Sequence, residues 1–238
     1  MQYNGGKHSC AKEIASLMGR YPSGSTYWEP FVGAANVITR PELEKYRRFG
    51  SDLDPNITLL LNAVRDGWVP PEKVNEIEYA GALGQPPSAL RAFIGYGCSF
   101  GGKFFGGFAR SGERNYAANA KNSLAKQAPL LAPVRLACAG YDSEPFGRAD
   151  IIYCDPPYAG ATRCGSSAGF DSDSFWPWLR AKARAGTAAF VTEFSAPGDF
   201  VEIYRKNISD GLRKNGGSPM VERLFIHESS FPLWEMMA

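Results

Sequence analysis

The residues Tyr153-Cys154-Asp155-Pro156-Pro157-Tyr158 follow the largely apolar stretch Ala149-Asp150-Ile151-Ile152. Proline lacks an N–H and fixes φ, so the proline pair explains why a strand would stop there. It leaves the flanking acid and aromatic unexplained. Taken alone, the hexapeptide indicates an amino group as acceptor: two oxygens at fixed spacing for one NH2, and a ring face for whatever carries it.

Two other stretches stand where predicted strands end, which is where open α/β sheets bind ligands. In Glu29-Pro30-Phe31-Val32-Gly33-Ala34-Ala35-Asn36, Gly33 and the small Ala34 and Ala35 would let the backbone come close to a ligand, or equally let a helix pack on a strand. In Ser51-Asp52-Leu53-Asp54-Pro55-Asn56, a carboxylate beyond a strand suits the two hydroxyls of a ribose. Asp54 reads as the N-cap of the next helix, which leaves Asp52 for the ligand.

The elements that must position these residues alternate. A helix is predicted over Lys7 to Met18, strands over Thr26 to Val32 and Arg48 to Leu53, and helices around Val37 to Leu43 and Asn56 to Arg65. The alternation breaks at Gly67-Trp68-Val69-Pro70-Pro71 and resumes with strands Val134 to Ala139 and Ile151 to Cys154. A helix around Phe175 to Ala185, a strand Thr187 to Phe194, a helix Pro197 to Lys206 and a strand Val221 to His227 complete it. This predicts an α/β domain on a mostly parallel sheet, in two parts, 1–66 and 131–238, with a mainly helical subdomain inserted at 67–130. Asn215-Gly216-Gly217-Ser218-Pro219 reads as a surface turn.

The 238 residues, 44% hydrophobic and 13% aromatic, are ample for a folded core. No window approaches the ~18 apolar residues of a membrane span, and the polar Met1 to Ser9 does not resemble a signal peptide. The expectation is a soluble, cytoplasmic protein. Five scattered cysteines, with no C-x-x-C pair and only two histidines, argue against a disulfide scaffold and against a metal site. The net charge of +2 is small, but it is unevenly spread. From Ser88 to Leu136, Arg91, Lys103, Arg110, Arg114, Lys121, Lys126 and Arg135 face the single acid Glu113, among many aromatics and glycines.

Asp-Pro-Pro-Tyr after a strand resembles the motif of methyltransferases that act on exocyclic amines. The ordered set narrows the resemblance. Tyr3-Asn4-Gly5-Gly6-Lys7, the Gly33 and Asp52 stretches, the insert with Phe93 to Phe108, then the hexapeptide, is similar to the D12 class of adenine-specific DNA methyltransferases, relatives of the Dam enzymes. The resemblance covers nearly the whole chain and implies a Rossmann-like methyltransferase fold. It implies S-adenosylmethionine as methyl donor with no metal, double-stranded DNA as partner, no membrane, and a monomer or weak dimer.

On that resemblance Asp155 and the Pro156 carbonyl grip the N6 amino group of an adenine taken out of the duplex, and Tyr158 stacks on its ring. Lys7 meets the methionine carboxylate as a point charge. Tyr3, in the place of the usual tryptophan, joins Phe31, Gly33, Asp52, Asp142 and Asp155 around the cofactor, and Ala35 stands where a second glycine is common. Arg91, Lys103, Arg110 and Arg114 are the candidate DNA contacts, against the reading of a solvated basic face whose phenylalanines form the insert's own core. Two other readings stay open: an acceptor that is cytosine N4, an RNA base or a glutamine side chain, and an inactive fold that only binds DNA.

Overall fold

The computed structural model describes residues 1, 3, 5–110, 112–158, 170–208 and 220–237. Its elements in chain order are α1 (Ala11–Met18), β1 (Thr26–Glu29), β2 (Arg47–Asp52), α2 (Pro55–Arg65), α3 (Glu76–Leu83), α4 (Ala89–Ala92) and α5 (Tyr116–Leu131). They continue with β3 (Val134–Cys138), β4 (Ile151–Cys154), α6 (Ser172–Arg184), β5 (Ala188–Thr192), β6 (Phe200–Ile208), β7 (Met220–His227) and α7 (Phe231–Met236).

Strand β4 shows why the apolar runs become strands. All four of its residues are buried, Ile151 and Tyr153 in one apolar cluster and Ile152 and Cys154 in the other. A parallel strand covered on both faces imposes this alternation. Each such large side chain contributes about 1.5–3 kcal/mol on leaving water.

The seven strands form one sheet in the order β3-β2-β1-β4-β5-β7-β6. Strands β3, β2, β1, β4 and β5 run parallel, and β7 is antiparallel to both neighbours. This is a Rossmann-like α/β fold with one antiparallel strand, β7. The chain moves outward from β1 to β3, then returns to β4 on the other side of β1, so β1 and β4 flank the point where the order reverses. In open α/β sheets ligands bind at such a point, beyond the carboxyl ends of the strands.

One face of the sheet is covered by α1, α2 and α5, and the buried residues of 67–130, including Tyr79, Phe93, Tyr96 and Cys98, share that same cluster. The opposite face rests on α6 and an aromatic group around Trp28, Phe31, Tyr141, Phe175 and Trp178. Among the described residues no helix is long and apolar enough to cross a membrane. Cys10, Cys98, Cys138 and Cys154 are free thiols, and Cys164 lies outside the described residues.

Three predicted elements differ from the structure. The segment Pro197 to Lys206 is not a helix: β6 begins at Phe200 and pairs with β7. A register shift between Glu202 and Tyr204 breaks its period of two and lets Glu202 pair with Arg205, a helix-like spacing within a strand. The segment Val37 to Leu43 makes turns and a short 3-10 helix, Pro41–Leu43, because the residue before Pro41 is extended. Helix α1 begins at Ala11 rather than at Lys7, whose carbonyl instead accepts from the N–H groups of Cys10 and Ala11 in the turn before it. The turn read at Asn215 to Pro219 lies outside the described residues.

Candidate functional site

Strand β4 delivers Asp155, half-buried, to the carboxyl edge of the sheet, and the buried Pro156 ends the strand. Asp155 Oδ1 is held twice: Lys7 Nζ lies 2.6 Å away, and the Thr192 hydroxyl at the end of β5 donates to it at 2.8 Å. Among the described residues no donor reaches Oδ2. Among the described residues the carboxylate is thus oriented through one oxygen, Oδ1.

Lys7 is 6% exposed, a depth at which an ammonium needs partners. It has several: Asp155, Glu222 at 3.6 Å, the Gly5 carbonyl at 3.3 Å, and the face of Tyr158 at 4.7 Å from its centroid. Burial lowers its pKa, but the Asp155 and Glu222 carboxylates raise it further, so Lys7 stays charged. Tyr158 donates its hydroxyl to Glu222 and meets Phe194 edge-on at 4.6 Å. Burial first, then the Asp155 and Glu222 charges, push its phenol well above the usual tyrosine range.

At the next strand end, Asp52 is the last residue of β2, paired in register with Cys138 of β3, rather than a residue beyond the strand. Its Oδ2 accepts from the Gly33 N–H and its Oδ1 from the Asp54 N–H, both at 2.9 Å. Burial pushes its pKa up to about 6 against these two N–H groups. Asp54 caps α2 through the Asn56 N–H, as read from the sequence. Its other oxygen accepts from the Tyr96 hydroxyl at 2.5 Å.

Gly33 has φ +46°, and a Cβ there would lie 3.0 Å from the Tyr3 ring. Tyr3 therefore covers this turn closely, while its other neighbour is Tyr96 at 5.1 Å between ring centroids. Ala35 itself adopts φ +56°, the conformation a glycine favours. Gln127 of α5 braces the strained turn by donating to the Ala34 and Ala35 carbonyls at 2.7 and 3.2 Å.

Tyr3, Gly33 and Asp52 come together in one group, and Lys7, Asp155 and Tyr158 in another. Phe31 packs in the opposite-face aromatic group, stacked on Tyr141 at 5.7 Å. Asp142 is exposed in the turn after β3, its carboxylate over Gly140. Asn4 lies outside the described residues. Among the described residues no group of three or more His, Cys, Asp or Glu side chains is arranged for a metal.

The basic candidates divide. Arg91 is turned inward, donating to Asn56 Oδ1 at 2.9 Å and to the Leu83 carbonyl at 3.2 Å, with its guanidinium over Phe104 and Phe105. Lys103, Arg110 and Arg114 are exposed, Arg110 paired with Glu76 and Arg114 over Tyr116. Phe93 is fully buried and Phe104, Phe105 and Phe108 pack partly buried on the same cluster, whereas Phe100 is 56% exposed.

Three residues of the site were not singled out from the sequence: Thr192, Glu222 and Gln127. Glu222 had a signal. It shares a strand face with Leu224 and Ile226, which are fully buried, so its carboxylate had to point into the protein. The buried Glu29 at the end of β1 also belongs here: Tyr27 donates to it at 3.1 Å, and desolvation pushes its pKa well above the carboxylate range.

No family model matches the chain, and no curated protein matches it. Solved structures align with it at low similarity. The rRNA methyltransferase aviRa from Streptomyces viridochromogenes is 17% identical with a TM-score of 0.41, over 93% of this chain and 84% of that one. A conserved hypothetical protein from Streptococcus pyogenes is 11% identical with a TM-score of 0.38, over 92% and 95%. The C-terminal domain of a precorrin-6Y C5,15-methyltransferase from Rhodobacter capsulatus is 11% identical with a TM-score of 0.37, over 95% and 98%. These likenesses are too distant to bear on substrate or cofactor.

Proposed function

We propose that this protein transfers the methyl group of S-adenosylmethionine to the N6 amino group of adenine in double-stranded DNA, as the D12 class does. The observation that carries the reading is the half-satisfied Asp155, locked through Oδ1 by Lys7 and Thr192 at the sheet's switch point, followed by Pro156 and Tyr158. The oxygen left open, together with the Pro156 carbonyl, is the pair of acceptors an amino group needs.

In this reading Asp52 takes the ribose hydroxyls, with Tyr3 and the Gly33 turn beside the cofactor and Asp142 toward its adenine. The sulfonium supplies an already activated methyl group. The chain's own part is to hold the nitrogen lone pair in line with that methyl and to keep Asp155 oriented beside Lys7. The attacking nitrogen loses one proton as the N–C bond forms and the S–C bond breaks, and Asp155 is the acceptor within reach. Lys103, Arg110 and Arg114 contact phosphates, and Tyr158 stacks on the extruded base.

The test is transfer of labelled methyl from S-adenosylmethionine to unmethylated duplex DNA, followed by hydrolysis to nucleosides and mass analysis. N6-methyldeoxyadenosine is the expected product. Label in N4-methyldeoxycytidine, or in RNA alone, would sink the adenine reading.

A further inference from the structure

Glu222 is an acid on the buried face of β7, 6% exposed, where a carboxylate without partners is costly. The bland explanation is a cross-strand ion pair with Lys206, its register partner on β6. The structure does not form that pair: Lys206 Nζ turns instead to Glu13 at 2.7 Å and to the Ser9 carbonyl at 2.6 Å. Among the described residues its side-chain partners are both in the site, the Tyr158 hydroxyl and the Lys7 ammonium at 3.6 Å.

Lys7 in turn holds Asp155, and its charge lies over the Tyr158 ring. The arrangement is a closed loop: Glu222 to Tyr158, Tyr158 to Lys7, Lys7 to Asp155, and Lys7 back to Glu222. Tyr158 and Asp155 are three residues apart where the backbone forms no helix or strand, so backbone hydrogen bonding does not fix the ring against the carboxylate. The loop of side chains does.

We propose that Glu222 is a positioning residue: by accepting from the Tyr158 hydroxyl and pairing with Lys7, it fixes the stacking ring relative to the Asp155 acceptor. This rests on the methyl-transfer reading above. It assigns Tyr158 two functions carried by different parts of one side chain, a ring face for the base and a hydroxyl that anchors it.

The test compares Glu222→Ala, Glu222→Gln, Tyr158→Phe and the double variant Glu222→Ala/Tyr158→Phe. For each, kcat is measured at saturating unmethylated duplex DNA and cofactor, S-adenosylmethionine affinity by calorimetry, and the thermal midpoint. Glu222→Ala and Tyr158→Phe are each expected to lower kcat about 10-fold, within the roughly 100-fold that a misplaced group costs. The double variant should fall no further than either single, because both remove the same anchor. Glu222→Gln, whose amide oxygen still accepts from the hydroxyl, should recover most of the rate, and cofactor affinity should be unchanged throughout.

Wild-type kcat in Glu222→Ala, losses that multiply in the double variant, or cofactor affinity that falls with kcat would each overturn the assignment. Should Glu222→Ala not fold, Glu222→Gln and Tyr158→Phe carry the same comparison. Acetylation of Tyr158 by N-acetylimidazole, located by peptide mass, reads the contact without any turnover. It should be slow in the wild type and faster in both Glu222 variants, most of all in Glu222→Ala; equal rates overturn the positioning contact. A wild-type protein that methylates no nucleic acid yet protects Tyr158 through Glu222 would instead sink the methyl-transfer reading.

Discussion

Lys7 and Asp155, separated by most of the chain, meet at 2.6 Å. The turn at Gly5 and Gly6 brings Lys7 over the carboxyl end of β4 before α1 begins, and a Cβ on Gly6 would lie 2.8 Å from the Asn36 amide. The N-terminal segment is thereby seated against the same turn that carries Gly33, and its cation completes the acid's environment. Lys7, which the resemblance places at a cofactor carboxylate, is paired in this structure with Asp155.

Replacing Lys7 by Met leaves Asp155 and Glu222 in the site without their cation. Breaking a buried pair costs about 3–5 kcal/mol, and Asp155, 18% exposed, places the loss near 3 kcal/mol. The pKa of Lys7 is raised in the folded protein, so its contribution is fully present below the unfolded lysine value and lost as pH rises through the higher folded one. Urea unfolding of wild type and Lys7→Met should therefore differ by a constant amount from about pH 8, where the lysine's carboxylate partners are ionised, up to about pH 10.4 and approach each other above it. Convergence at neutral pH would contradict this.

On the proposed reading, Asp52, with its pKa pushed up to about 6, must be ionised to accept both ribose hydroxyls. Cofactor affinity is expected to be flat above that pH and to weaken about tenfold per pH unit below it. The folded value lies above the ordinary unfolded value of about 3.9, so the unliganded protein loses stability as pH rises between the two. Calorimetry from pH 5 to 8 on the wild type, against Asp52→Asn, checks the first claim; a profile without a break near 6 contradicts it.

Tyr96→Phe removes the only O–H that reaches Asp54 Oδ2 among the described residues. Asp54 is 5% exposed, so the stranded charge-assisted bond should cost about 1.5–3 kcal/mol, read from the urea midpoint. Because the Asp54 N–H holds Asp52, cofactor affinity should fall as well. Unchanged stability would mean that solvent replaces the hydroxyl.

Binding to duplex DNA across a salt series should separate the basic residues. Lys103→Ala and Arg114→Ala are each expected to reduce the slope of log affinity against log salt by about 0.9, one phosphate contact apiece. Arg91→Ala should leave that slope unchanged and lower stability instead, since its guanidinium bonds Asn56 and Leu83. A slope change in Arg91→Ala alone would reverse the assignment.

Strand β4 and its proline stop were legible because burial on both faces writes a continuous apolar run that ends in residues unable to continue a sheet. Asp54 was legible as a cap for a local reason, its spacing to Pro55 and Asn56. What could not be read depends on distant or irregular geometry. The bulge in β6 places Glu202 and Arg205 together as a helix would, and the fate of Arg91 is decided by Asn56, which is remote in sequence. Glu222 lay between: its burial follows from strand alternation, but its partners follow only from β7 lying beside β5.

Single-molecule sequencing of the plasmid that expresses the protein, with modified bases assigned, tests the central claim most directly. The account predicts N6-methyladenine in a recurring sequence context from wild-type cells lacking other adenine methylation, and none when Asp155 is replaced by Ala. Equal adenine methylation from the Asp155→Ala plasmid, or modification confined to cytosine, would contradict it.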